Sequence, residues 1–191
     1  MSQSARSWVL ANAVGVTLAM ATFGVVADNP AMPEGPIASA AGHLLGFLAF
    51  AAVLAGFQRR ALRPVRTRFR TWVLVQGVPV WLVYGLAYEL IGPPADFALG
   101  LVALGVTTGL LLRAEARATG AQSRRLPLVG AAAGLGAVVG MVPVILLAEP
   151  IDDAMGGGMA PFLVIIALIG AVGGTSLGTI LRPGVRTRPL A

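Results

Sequence analysis

Long apolar runs separated by short polar breaks fill almost the whole chain. They lie near 8–27, 38–57, 71–91, 95–112, 127–148 and 159–181. Each is close to the roughly 20 residues that a helix needs to cross the hydrocarbon core of a bilayer. The pattern predicts an all-α integral membrane protein, with residues 1–191 forming a single domain of six transmembrane helices. Consecutive spans would pair as three in–out–in helical hairpins packed into a Gly-rich bundle.

The polar breaks separate by charge. Arg6 precedes the first span, and Arg59, Arg60, Arg63, Arg66, Arg68 and Arg70 lie between the second and third. Arg113, Arg117, Arg124 and Arg125 follow the fourth span, and Arg182, Arg186 and Arg188 follow the sixth. Every Arg therefore falls on one side of a six-span arrangement. Asp28, Glu34, Glu89, Asp96, Glu149, Asp152 and Asp153 fall on or near the other. Basic residues in short loops stay on the cytoplasmic side, which predicts cytoplasmic N and C termini in a plasma (inner) membrane. The first span, with Arg6 before it and Val25-Val26-Ala27 ahead of Asp28, also has the outline of a signal peptide. It is expected to remain as a span.

Ser7-Trp8-Val9-Leu10-Ala11-Asn12 resembles Thr71-Trp72-Val73-Leu74-Val75-Gln76, each opening an odd-numbered span. Such likeness fits repeated hairpins in parallel orientation, and it also arises in any hairpin that keeps its arginines on one side. Small residues recur four apart: Gly42/Gly46, Gly105/Gly109, Gly130/Gly134, Gly136/Gly140 and Gly174/Gly178. That spacing puts each pair on one helix face, where a second backbone can approach closely. Ala11, Gly15 and Ala19 continue the theme. Pro79 and Pro143 fall inside the third and fifth spans and should kink them.

Composition narrows the chemistry. Hydrophobic residues make up 57% of the chain and charged ones 12%, against about 25% charged in soluble domains. All fourteen basic residues are Arg, so a retinal Schiff base or other lysine-linked cofactor is excluded. The chain has no Cys, which excludes disulfides and thiolate metal sites. A single His, His43, excludes bis-His haem. No cofactor and no metal is expected. The net charge of +6 does not imply nucleic acid, because six of the cations are concentrated in Arg59–Arg70, a membrane-flanking loop suited to anionic lipid head groups.

Function in such a chain should reside in the few polar residues of the spans. Asn12 and Gln76 stand at matching depths and are expected to hydrogen-bond between helices. Thr107, Thr108, Thr175 and Ser176 can bond back to their own helices. Tyr84 and Tyr88, one turn apart, either line a site or anchor the third helix at the interface. His43 lies about 8 Å inside the outer end of the second span by helix rise, and Glu89 near the outer end of the third. With Tyr84, Tyr88 and Asp96 they form the candidate polar site, where an acid and an imidazole could pair, relay protons or hold a polar ligand. The ordinary alternative is a snorkelling Glu and a lone interfacial His. Asn29-Pro30-Ala31 spells the aquaporin tripeptide but occurs once and outside a span. Gly156-Gly157-Gly158 lacks the strand–loop–helix context of a phosphate cradle.

Residues 36–113 resemble the VanZ-like membrane proteins. The likeness is carried by Gly42-His43-Leu44-Leu45-Gly46-Phe47-Leu48-Ala49-Phe50, Tyr84-Gly85-Leu86-Ala87-Tyr88-Glu89-Leu90 and Gly105-Val106-Thr107-Thr108-Gly109, in the family's order. The chain departs from the family pattern at Ala40, Ala98 and Val102. The resemblance implies an association with glycopeptide resistance. The Gly-rich hairpins are also similar to small bacterial multi-pass proteins.

Gly-lined helices, short loops and the lack of a reactive constellation point to a non-enzymatic scaffold or accessory subunit. Its partners would be membrane lipids and other membrane subunits or further copies of itself, with no nucleic acid. The alternative is a small transporter or a substrate-binding transporter component with a site open to the outer face. The chain has the size of the substrate-binding component of an energy-coupling vitamin transporter. A membrane enzyme would be limited to the chemistry of His43, Glu89 and Asp96.

Overall fold

The computed structural model describes residues 3–27, 36–62, 64–92, 95–118, 124–156 and 159–186. Seven helices follow one another: α1 (Gln3–Ala27), α2 (Pro36–Ala61), α3 (Phe69–Leu90), α4 (Ala95–Ala118), α5 (Leu126–Leu146), α6 (Ala148–Met155) and α7 (Met159–Arg186). Six segments among the described residues are long and apolar enough to cross a membrane, the fifth, Leu126–Met155, running through both α5 and α6. The chain is therefore an all-α, multi-pass membrane bundle, and no strand occurs among the described residues.

Several helices run past the predicted apolar edges. Arg113 and Arg117 remain helical in α4, and Arg182 and Arg186 in α7. Arg is a good helix former, and its long stem can follow the apolar surface while its head reaches water. The ends carry local stop and start signals. Pro36 opens α2, where a missing N–H costs nothing. Gly92, at φ +84°, closes α3 by donating its N–H to Ala87 O at 3.0 Å. Gly156, at φ +75°, ends α6, so residues 148–155 form a surface helix where sequence suggested only a loop. Gly157 and Gly158 lie outside the described residues.

The spans form a closed ring in which each touches its two neighbours: α1, α2, α3, α4, α5, α7 and back to α1. Leu10, Leu74, Leu128, Val139 and Leu146 point outward. In water such a surface would aggregate, but against lipid tails it carries no penalty.

The helices approach one another through their glycines. A Cβ built on Gly134 would stand 2.6 Å from Leu101 O, and Cβ atoms on Gly105 and Gly130 would each run into the other residue's carbonyl. Gly109 faces Leu126 O in the same α4–α5 seam. Across α1 and α7, a Cβ on Gly174 would lie 2.6 Å from Ala13 Cα, and one on Gly178 2.8 Å from Val9 Cα. Gly170 in that seam meets Thr17. Between α5 and α7 the fit involves side chains: Gly136 lies under Ile180 and Gly140 under Val172. Gly42 and Gly46 are buried on α2, and Ala11 and Ala19 on α1. Pro79 and Pro143 stand inside α3 and α5, where each removes one helical hydrogen bond.

Candidate functional site

The arginine end of the bundle is where α1, α3 and α5 begin and where α2, α4 and α7 end. The far end carries the sequence-predicted polar site. His43 stands two turns into α2 and is half-buried; its Nδ1 lies 2.8 Å from Ser39 O. A carbonyl only accepts, so this contact puts a proton on Nδ1. Ser39 Oγ lies 3.5 Å from the same nitrogen, too long to be activated by a ring atom already committed elsewhere. Glu89 is exposed on the last turn of α3. Both residues line one groove of about 620 Å³ between the far ends of α2 and α3, together with Trp81, Tyr84 and Tyr88. No hydrogen bond or ion pair joins His43 to Glu89 among the described residues.

Tyr84 and Tyr88 diverge in role although they lie one turn apart. Tyr88 is 54% exposed, as an interfacial anchor would be. Tyr84 turns inward, its ring 5.3 Å from that of Phe47. Phe47 in turn stacks on Phe23 at 4.7 Å, and Phe23 lies 6.3 Å from the His43 ring. Behind this aromatic chain is a second, apolar cavity of about 220 Å³, lined from five helices by residues such as Met20, Phe23, Phe50, Phe97, Leu104 and Ile166. Tyr84 lines both spaces. Gly100 leaves room there: a Cβ would come no nearer than 3.6 Å to Tyr84. Asp96 is 4% exposed and stands one turn before Gly100 on the same face of α4. One of its oxygens accepts from Phe97 N at 2.6 Å, and its charge suits the positive N-terminus of that helix.

The arginine end is filled instead of hollow. Asn12 Nδ2 donates to Trp8 O at 2.9 Å, and Gln58 Nε2 donates to Asn12 Oδ1 at 2.8 Å. Gln76 Nε2 then donates to Gln58 Oε1 at 2.8 Å and to Thr108 Oγ1 at 3.0 Å. One fully buried polar ladder thereby ties α1, α2, α3 and α4 together. Asn12 and Gln76 are linked as expected between helices, but through Gln58, which sequence reasoning did not single out. Thr108, to which the sequence reading gave no role beyond bonding back to its own helix, accepts from the ladder. Trp8 Nε1 and Gln76 Oε1 have no hydrogen-bond partner among the described residues. The matching Trp8-x-x-x-Asn12 and Trp72-x-x-x-Gln76 segments occupy equivalent buried positions on α1 and α3.

The arginine loop is held from below by Glu115, 3% exposed on α4. Its carboxylate accepts from Arg66 N at 3.0 Å, from Thr67 N at 2.8 Å and from the Thr67 hydroxyl. Trp72 Nε1 donates to that hydroxyl at 2.5 Å. Arg59 donates to Thr67 O at 2.7 Å and lies 5.8 Å over the Phe69 ring, while the Arg66 guanidinium donates to Ala118 O. Arg60, Arg68 and Arg70 are exposed; Arg63 lies outside the described residues. The loop is thus internally tied as well as charged. Glu115 was visible in principle, as an acid among arginines, and Gln58 as an amide just inside Arg59.

Chemically, the far-end groove offers a carboxylate, an imidazole, hydroxyls and aromatic faces. Among the described residues no three His, Asp or Glu side chains gather closely enough to hold a metal ion. No family model, curated protein or solved structure matches the chain.

Proposed function

We propose that this chain is a non-enzymatic membrane protein that binds a small amphipathic molecule in the far half of its bundle, as a transporter or substrate-binding transporter component does. The observation behind this reading is the apolar cavity lined by five helices, with Tyr84 lining both it and a neighbouring polar groove. Close-packed interiors lose dispersion contacts around any void, and apolar voids take up apolar guests instead of water. A concave apolar space with a few polar groups at its mouth is the usual form of a small-molecule site. The scaffold reading, which the sequence favoured on Gly-lined helices, short loops and the lack of a reactive constellation, would draw support from a flat Gly-rich outer face. Most of the glycines behind it contact neighbouring helices of the same chain, whereas Gly56, exposed on α2, meets nothing within 4 Å. With the arginines toward the cytoplasm of an inner membrane, the exposed Arg60, Arg68 and Arg70 would rest on anionic head groups, and the groove would open toward the outer leaflet. The VanZ-like resemblance fits this reading, since His43, Tyr84 and Glu89 share the groove.

Gly24 provides the test, because it lines the cavity and a Cβ there meets nothing within 4 Å. Gly24→Phe should fill the space without unfolding the bundle. Wild-type protein purified in mild detergent should carry a stoichiometric amphiphile, detected by mass spectrometry of its extract. The filled variant, with unchanged thermal stability, should retain at least about tenfold less. Equal amounts on both proteins would reject the cavity as the binding site.

A further inference from the structure

We infer that the molecule held at this site is an amphipathic cation, with its apolar body in the cavity and its positive group in the groove against Glu89. The inference rests on the amphiphile-binding reading above and adds the charge of the ligand. Glu89 has no ion-pair partner among the described residues, and the other ionisable groups lining its groove are His43, Tyr84 and Tyr88. All fourteen arginines lie in sequence at the opposite end of the spans, and the chain has no Lys. The far half therefore presents the Glu89 carboxylate with no Arg or Lys to neutralise it. Glu89 is exposed and, among the described residues, unpaired at the edge of the groove, so an arriving positive charge has a carboxylate to meet there.

The aromatic lining points the same way. Trp81, Tyr84 and Tyr88 border the groove with Glu89, and aromatic faces attract cations through their ring quadrupoles. An anionic head would meet repulsion with no Lys or Arg to receive it. A neutral head would gain at most a hydrogen bond from the carboxylate, without the Coulombic attraction of a cation.

Three compact probes separate these cases by equilibrium dialysis against the purified protein in a neutral detergent. Tetraphenylphosphonium and tetraphenylborate have nearly the same size and apolar surface but opposite charge, and triphenylphosphine oxide is neutral. Wild type should bind the cation at least about tenfold more tightly than the neutral probe, and the anion most weakly. Glu89→Gln, at an exposed position, should reduce cation binding to the neutral level and leave neutral binding unchanged. Gly24→Phe should weaken binding of the neutral and cationic probes together. Neutral and cationic probes binding equally, both weakened by Gly24→Phe, would overturn the cation inference and leave the amphiphile reading standing. A preference for the anion, or a cation preference that survives Glu89→Gln, would also overturn it. Binding of all three probes unaffected by Gly24→Phe, or no binding at all, would remove both.

Discussion

The two ends of this bundle are made from similar helices and yet are finished in opposite ways. At the arginine end, Trp8, Asn12, Leu54, Gln58, Trp72, Gln76 and Thr108 are buried and interlocked across four helices. At the same level Gly174 and Gly178 bring α7 directly onto α1. At the far end the facing residues are large and aromatic, but they border open space. Helices that meet through backbone at one level can stay apart at another only if something rigid holds them. The filled end supplies that rigidity. The far end is then free to keep a cavity whose shape a ligand completes.

Glycine seams should give the largest effects. Gly134→Leu would drive a side chain against Leu101 and Val102, and Gly174→Leu against Asn12 and Ala13, all through main-chain atoms that cannot rotate away. Each should cost more than about 3 kcal/mol, seen as lost yield or a collapsed thermal transition in detergent. Wild-type behaviour in both would break the comparison, since the filled end would not depend on close backbone contact.

A smaller loss is expected at the loop clasp. Glu115→Gln would replace one carboxylate oxygen by an amide donor facing the backbone N–H groups of Arg66 and Thr67. The expected cost is about 2 kcal/mol, with faster proteolysis within residues 59–70. An unchanged cleavage rate would mean that the Arg59 and Arg66 contacts suffice to hold the loop.

The ladder should contribute least per link. Gln58→Leu removes the donor to Asn12 and one acceptor of Gln76, while Gln76 retains Thr108. A loss of about 1 kcal/mol in unfolding from mixed micelles fits the modest value of interhelical hydrogen bonds in lipid. A change of several times that size would make the ladder, and not the glycine seams, the main fastening of this end.

Much of the arginine end was legible in the sequence, and much of the far end was not. Four-residue spacing identified Gly105, Gly109, Gly130, Gly134, Gly174 and Gly178 as contact positions, because helical periodicity alone puts each pair on one face. It did not say which helix each would meet. Asn12 and Gln76 were recognisable as buried amides, but the bridge through Gln58 required knowing that α2 lies between α1 and α3. Glu115 was hidden because an acid beside arginines looks like ordinary surface charge; only the turn of the 62–68 segment over α4 makes it a buried acceptor. Tyr84 and Tyr88 could not be distinguished by sequence, since an inward and an outward position differ by a rotation that neighbouring helices decide.

What the sequence determined by itself was the number of spans, their lengths, the separation of arginines from acids and the faces on which backbones approach. These follow from local rules: hydrocarbon thickness, helical repeat and the size of a missing side chain. Tertiary structure decided the ring order, with α7 closing on α1, the ladder through Gln58, and the cavity and the His43–Glu89 groove on either side of Tyr84. A void belongs to no single residue. It is the space left when five helices held at one end fail to meet at the other, and no pattern along the chain records that distance.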